Sequence, residues 1–385
     1  MSPPNASDAG LRDARIDALR AIAALSVLIF HAHNSWYLGV GGEVAASEQL
    51  RLRDTWIGLA SSPITLGFLG LNLFFVLSGL CIHSWYLNHT RARQEPFSYR
   101  AYMSRRLWRI GPAYAAAILF SLGCLAIAEW IRIDRYGLSE PSVYASQWLW
   151  QTLRYLTFTH TLSIDTFGGY NAPLYTMAIE MHFYIAYPVV LYCFRRLGPG
   201  RTLLLSAGIS IACSAGAVAS GDATMKRLVL DSMLVRWPEW IMGCVIAEIL
   251  FRARRGEQAP PSTAGIYAAA AACFLLALAI QLASGIAPNL LWSGSIALVV
   301  PAYLLARRRA TGRWETSLAR IGLFSYSVYL LHYPILRIVA LLMPPQRDIL
   351  AAQSLVYIGV AVLILFFAYA FFRLFEKPFL ATRRR

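Results

Sequence analysis

The sequence predicts an all-α protein, a polytopic membrane helical bundle of about ten transmembrane helices with cytoplasmic N- and C-termini. Three observations predict it: the composition, the length of the apolar segments and the distribution of arginine. Of 385 residues, 57% are hydrophobic and 14% are charged, and the mean hydropathy is +0.50. A soluble globular protein carries about 25% charged residues. This composition excludes a soluble enzyme, a disordered chain and a disulfide-stapled secreted domain.

Ten apolar segments match the length of a transmembrane helix, which needs about 20 residues to cross a hydrocarbon layer of about 30 Å. The shorter aromatic stretch 143–163 is broken by polar residues. We interpret it as an interfacial or re-entrant helix, with an eleventh span as the less favoured alternative. The ten predicted spans are 17–38, 64–87, 110–131, 174–197, 202–219, 229–251, 264–284, 289–306, 321–342 and 350–375.

The arginine distribution gives the orientation. With the N-terminus inside, the cytoplasmic segments carry 25 of the 35 Lys and Arg residues and the outer loops carry 8. Cytoplasmic loops of membrane proteins are enriched in Lys and Arg. We therefore predict a multi-pass protein of the inner membrane, with a cytoplasmic tail at 1–14, a membrane domain at 15–378 and a basic cytoplasmic tail at 379–385.

Ionisable residues inside spans are costly and mark functional candidates. Arg20 and His31 are eleven residues apart, which is about three helical turns, so both face one way with a rise of about 16 Å. Counted from the outer ends of their spans, His31, Glu180 and Asn72 lie at about 10, 9 and 12 Å. We expect these three to converge on one site. The alternative for Arg20 is a snorkelling anchor, and for His31 a hydrogen-bonded core histidine.

Other polar residues in or near spans allow two interpretations. Arg236 and Glu239 are three apart, the spacing of a neutralising intrahelical pair, and His332 near mid-depth is typical of a hydrogen-bonded packing residue. The aromatic residues at 144–158 fit a carbohydrate platform or interfacial packing. Three clustered arginines fit an anchor for anionic membrane lipids or a clamp for phosphate. They are Arg105, Arg106 and Arg109.

Neither a metal site nor a nucleic-acid interface is indicated. None of the six cysteines forms a CxxC pair, and no cluster of His, Cys and Asp has metal-ligand spacing. The net charge is +15, but the basic residues lie between long apolar runs, which argues against a nucleic-acid partner.

Seven segments carry a family pattern in chain order. They are RIDALRAIAALSVLIFH, LGLNLFFVLSGLCI, SRRLWRIGPAY, YTMAIEMHFY, RWPEWIMG, FSYSVYLLHYP and FEKP, spread between residues 15 and 378. Together they resemble acyltransferase family 3, integral membrane proteins that acylate extracytoplasmic glycans and related acceptors. Asn72 stands where the family has Asp, and Tyr175 stands where it has Trp.

The resemblance implies an O-acyltransferase that takes an acyl group, commonly acetyl, from cytoplasmic acetyl-CoA to a carbohydrate or glycolipid acceptor. It implies that Arg20, Arg106 and Arg109 hold the phosphates of CoA. His31 would be a general base or would carry the acyl group as an acyl-imidazole. Glu180 would fix its tautomer. Asp17 next to Arg20 is a supporting candidate, like Asn72, Arg236, Glu239 and His332.

Two other functions compete with acyl transfer. A transporter of a small anion or sugar could use the buried Arg, His and Glu as a pathway, although no inverted repeat or pair of broken helices is seen. A membrane anchor for a partner complex is the third possibility, and it leaves His31 and Glu180 without a task.

Overall fold

The computed structural model describes residues 14–38, 66–136, 148–257, 263–284, 288–306, 312–342 and 350–381. Residues 1–13 and 382–385 of the two predicted tails lie outside these ranges, as does 143–147 of the predicted interfacial segment. Within the described ranges all regular structure is helical, without a strand. The predicted all-α fold class is therefore confirmed.

In the described ranges, ten helices have 17 or more residues, and they lie at the ten predicted positions. Four shorter helices are numbered together with them. Turns of 3₁₀-helix (Leu66–Phe68, His160–Leu162, Ala172–Leu174) and of π-helix (Leu87–Arg91, Phe372–Glu376) lie between them. The helices are α1 Ala14–Leu38, α2 Leu69–Tyr86, α3 Tyr99–Tyr136, α4 Trp148–Leu156, α5 Tyr175–Leu197, α6 Pro199–Ala219, α7 Ala223–Leu230, α8 Met233–Arg254, α9 Thr263–Ser284, α10 Asn289–Leu305, α11 Arg313–Gly322, α12 Ser325–Leu342, α13 Leu350–Phe371 and α14 Lys377–Ala381.

Seven of the described segments are long and apolar enough to cross a membrane, against the ten predicted. The other three lie at α1, α8 and α10. Helices α1 and α8 carry several charged residues, and α10 has 17 residues. The seven are Leu66–Arg91, Tyr99–Ile131, Ala172–Leu197, Pro199–Ala219, Ala264–Ser284, Ser325–Leu342 and Ile358–Leu380.

Two boundaries differ from the prediction in ways that affect the site. Helix α3 begins at Tyr99 and not near residue 110, so the three clustered arginines lie on the same continuous helix as the third span. The ninth predicted span is broken between Gly322 and Ser325, which separates α11 from α12.

Helix α4 is a short helix that does not cross the bundle. Its nine residues are about 13 Å long, less than half of a hydrocarbon layer. One side exposes Leu149, Trp150 and Leu153, and the other buries Gln151 and Tyr155. This agrees with a segment that lies at the interface.

The centre of the bundle is built by α1, α2, α5, α8 and α12, whose buried residues join one apolar cluster. Helices α2 and α8 pack closely through two glycines. A Cβ on Gly79 would overlap the Trp240 carbonyl, and one on Gly243 would overlap the Val76 carbonyl. Small residues at such contacts let helix backbones approach each other in membranes.

We therefore predict that Gly243→Ala destabilises the protein by about 1–3 kcal/mol, the usual cost of overpacking a close contact. The measurement is the thermal unfolding midpoint in detergent. Gly216→Ala on α6 is the matched control, because no neighbouring atom surrounds that glycine. Equal midpoints for the two variants would show that the α2–α8 contact is not close.

Candidate active site

Three guanidinium groups meet in a cavity near the end of the bundle that the arginine distribution predicts to be cytoplasmic. We call it the arginine cavity. It holds about 1040 Å³ of empty space, part of it open to solvent. Helices α1, α2, α3, α5 and α12 contribute to its wall. Its charged lining residues are Asp17, Arg20, Arg106, Arg109, Glu180 and Glu376.

Helix α3 turns only two of its three clustered arginines into this cavity. Arg106 and Arg109 are three residues apart and share one helix face, whereas Arg105 is rotated by about 100° from its neighbour. The Arg105 guanidinium lies outside the cavity, over the Trp85 ring at 3.9 Å from its centroid. A clamp that includes all three arginines is therefore not formed.

The arginines differ in how their charge is balanced. Arg20 donates from Nη1 to Asp17 at 3.1 Å and from Nη2 to the Cys81 sulfur at 3.3 Å. Within the described residues neither Arg106 nor Arg109 forms an ion pair or a side-chain hydrogen bond, and the Arg106 Nε is buried without a partner. Because Arg106 and Arg109 have no direct ion-pair partner among the described residues, their N–H donors are available to an anionic ligand with several oxygens.

Glu180 lies in the arginine cavity and not beside His31, contrary to the convergence expected from depth. Its carboxylate accepts hydrogen bonds from the hydroxyls of Ser78, at 2.6 Å, and Tyr184. The Trp240 indole donates to the same Ser78 at 3.2 Å. None of the hydrogen bonds of Glu180 among the described residues goes to His31.

Glu180 does not lie beside His31 because the loop before α5 is buried in the bundle. Asn171 and Leu174 are fully buried, so α5 begins inside the bundle, and a depth counted from its first residue is too small. His160 in the same loop stacks on Tyr155, with centroids 3.9 Å apart, and its Nε2 donates to the Leu174 carbonyl at 3.2 Å. Burial lowers the pKa of His160 to about 4, so its ring is neutral at pH 7 and holds the loop in place.

Asn72 also lies away from His31, in a polar cluster between α2, α8 and α10. Its amide donates to Ser293 at 2.8 Å and to Glu239 at 3.4 Å. Arg236 and Glu239, both buried, are paired at 3.0 Å, and the Arg236 guanidinium lies over Phe75. Arg236 and Glu239 neutralise each other, and neither these two residues nor Asn72 line the arginine cavity or the second cavity described below.

A second cavity, the histidine cavity, lies further along the bundle toward the other end of α1. It holds about 760 Å³ of empty space, part of it open to solvent. Its wall includes His31 from α1, aromatic residues of the buried loop and of α5, and two charged residues at α7. These are Phe167, Tyr175, Arg227 and Asp231.

The partner of His31 is a second imidazole. The ring centroids of His31 and His332 are 5.2 Å apart, and Tyr333 makes an edge contact with His31. The His332 Nδ1 lies 2.6 Å from the Tyr329 carbonyl, which can only accept, so Nδ1 carries the proton and Nε2 is the acceptor in the neutral ring. That Nε2 is buried without a partner among the described residues.

Three side chains line both cavities. They are Leu71 from α2, Thr176 from α5 and Tyr329 from α12, and we call them the partition. Sequence reasoning missed Thr176, Tyr184 and Tyr329. A signal was present for the first two, because they lie four residues before and after Glu180 and so form one polar stripe on α5.

Comparison with known proteins agrees with the family resemblance of the seven sequence segments. The family profile described as "Acyltransferase domain" matches residues 13–373. A Bacillus subtilis protein with the provisional name peptidoglycan O-acetyltransferase YrhL is 26% identical over 83% of this chain and 48% of its own length. The chain thus spans about half of that relative.

Two further relatives are covered over most of their length. One is a Komagataeibacter xylinus protein with the provisional name membrane-bound transacylase BcsY, 27% identical over 83% of this chain and 72% of its own. The other is acyltransferase MdmB of Streptomyces mycarofaciens, 25% identical over 84% of this chain and 78% of its own. No solved structure matches the chain.

The Arg236–Glu239 pair yields a stability prediction. Removing one partner of a buried pair leaves an uncompensated charge and costs about 3–5 kcal/mol. Arg236→Met alone is therefore expected to lower the unfolding midpoint strongly, whereas the double variant Arg236→Met with Glu239→Leu recovers most of the loss. A double variant whose loss equals the sum of the two single losses would contradict the pairing.

Proposed function

Because the chain belongs to acyltransferase family 3, we propose that it is an inner-membrane O-acyltransferase that moves an acyl group, in the first instance acetyl, from cytoplasmic acyl-CoA to a hydroxyl of an extracytoplasmic carbohydrate or glycolipid. One observation carries this proposal. A cavity lined by three arginines, two of which lack an ion-pair partner among the described residues, and a cavity containing an imidazole follow one another along the bundle, and the same three side chains line both.

The arginine cavity is suited to the donor. Guanidinium groups bind phosphate oxygens with two hydrogen bonds and cannot lose their charge. Arg106 and Arg109 have no counter-ion of their own among the described residues, and Arg20 is oriented by Asp17. Along α1 the rise from Arg20 to His31 is about 16 Å, a span that the extended pantetheine arm of CoA can cover.

The histidine cavity is suited to the acceptor. In the proposed step His31 accepts the proton of the acceptor hydroxyl, and the hydroxyl oxygen forms a bond to the thioester carbonyl carbon. The carbon–sulfur bond breaks, and the proton passes from His31 to the sulfur that leaves. Formation of an acyl-imidazole on His31, followed by transfer to the acceptor, is the other route.

In this proposal His332 takes the role that the family resemblance implied for Glu180. Its free Nε2 is an acceptor for one N–H of His31 after a small movement of either ring, and this would fix the tautomer in which the other His31 nitrogen is unprotonated. Glu180 acts at the arginine cavity, where it balances positive charge and orients the hydroxyls of Ser78 and Tyr184.

Transport of a small anion is the competing function, and the two successive cavities are the observation that favours it. The two functions differ in chemistry, because a transporter moves its solute without breaking a bond. Release of CoA thiol in step with acylation of an acceptor supports transfer, whereas uptake without release supports transport.

We predict that Arg106→Gln and Arg109→Gln each weaken the binding of CoA by about tenfold or more, because each removes a charge-assisted hydrogen bond worth about 1.5–3 kcal/mol. The measurement is calorimetric titration of the protein in lipid nanodiscs. Arg105→Gln is the matched control and is expected to bind normally. Equal losses in all three variants would place the phosphate site on the helix surface and not in the cavity.

We further predict that His31→Ala lowers the transfer rate by about 100- to 10,000-fold, the contribution of a positioned general base. CoA binding should stay unchanged, since His31 lies outside the arginine cavity. His89→Ala is the control, because His89 is exposed and stacks on Trp85. Full activity of a folded His31→Ala protein would refute the proposed role.

A further inference from the structure

We infer that the partition, and Tyr329 above all, determines whether the acyl group reaches an acceptor hydroxyl or water. This inference rests on the proposed function. The observation behind it is that Leu71, Thr176 and Tyr329 are the residues common to the two cavity walls. A thioester held in the arginine cavity therefore reaches His31 only where these side chains make room.

Tyr329 is the largest of the three partition side chains, and hydrogen bonds hold it in the position that closes the partition. Its hydroxyl donates to the Pro173 carbonyl at 2.6 Å and lies 2.5 Å from the Thr176 hydroxyl. The Thr176 hydroxyl also lies 3.0 Å from the Pro173 carbonyl. The ring of Phe74 packs edge-on against the Tyr329 ring at a centroid distance of 5.6 Å. The side chain thus joins α12 to the start of α5.

The backbone on both sides of the partition is fixed, so opening is a movement of side chains. The Asn171 amide ties the buried loop to Ser121 at 2.9 Å and to the Leu330 carbonyl at 3.3 Å. The Tyr329 carbonyl is held by His332. Rotation of the Tyr329 side chain costs its hydrogen bonds, and no helix has to move.

The closed partition keeps a bound thioester away from water in the histidine cavity. If it stays open without an acceptor, a water oxygen can form the bond to the thioester carbon. The carbon–sulfur bond then breaks, and the products are the free acid and CoA thiol. Tyr329 therefore acts as a specificity residue for acceptor over water, while His31 carries out the proton transfer.

Cys81 provides a test that does not depend on activity, because it lines the arginine cavity and is a free thiol. A variant that keeps only this cysteine is labelled with a membrane-impermeant maleimide, in right-side-out and in inverted vesicles. With Tyr329 present we expect labelling from one side only. Tyr329→Ala should allow labelling from both sides. The cysteines replaced are Cys124, Cys193, Cys213, Cys244 and Cys273.

Matched variants separate opening from general damage. Tyr114 is also buried and also donates to a backbone carbonyl, that of Tyr155 at 3.1 Å, but it lines neither cavity. Tyr114→Ala should keep one-sided labelling. Leu71→Ala opens the same wall from α2 and replaces Tyr329→Ala if that variant fails to fold. One-sided labelling in both partition variants, or two-sided labelling of the parent, overturns the inference.

Turnover gives the second readout. The assay is run in detergent with acetyl-CoA and no acceptor. Tyr329→Ala is expected to release CoA thiol several-fold faster than the parent. Tyr329→Phe keeps the ring, and its release rate is expected to lie between those of the parent and Tyr329→Ala. Unchanged release in Tyr329→Ala contradicts the specificity role. A parent that never consumes acetyl-CoA with any acceptor refutes the proposed function, while the Cys81 labelling still decides whether the partition exists.

Discussion

A charged side chain inside an apolar bundle destabilises the fold unless a counter-charge or a ligand compensates for it. In this protein the compensation is uneven. Arg236 is neutralised by Glu239 and Arg20 by Asp17, whereas Arg106 and Arg109 have no ion-pair partner in the described part of the chain. The Arg236–Glu239 pair is therefore structural, whereas Arg106 and Arg109 are available to bind an anion.

The second constraint is the register of α1. Arg20 and His31 lie on one face of this helix, about 16 Å apart, and they line two different cavities. In the proposed function, this single helix would hold the donor phosphates and the reacting imidazole at a fixed spacing. In the proposed function, the partition between the cavities would separate a thioester from water until an acceptor is present.

The grouping of Arg20 with Arg106 and Arg109 was implied by the family resemblance, because these residues lie on two different helices. The sequence itself predicted the fold class and the positions of the ten long helices, because apolar length and helical spacing depend only on local order. It did not predict that Arg105 faces away, although the rotation between adjacent helix residues would have indicated this. It was wrong about the neighbourhood of Glu180, because the burial of the loop before α5 is a tertiary property. The pairing of His31 with His332 joins residues of two distant helices, and no local pattern reveals it.

The central claim is that an acyl group crosses the bundle while CoA does not. Inverted membrane vesicles of the host, which have the cytoplasmic face outward, can be supplied with acetyl-CoA radiolabelled in the acetyl group. The account predicts that label becomes covalently bound to glycans inside the vesicles while an equal amount of CoA thiol appears outside. Intact labelled acetyl-CoA inside the vesicles, or thiol release without any label on luminal glycans, would contradict it.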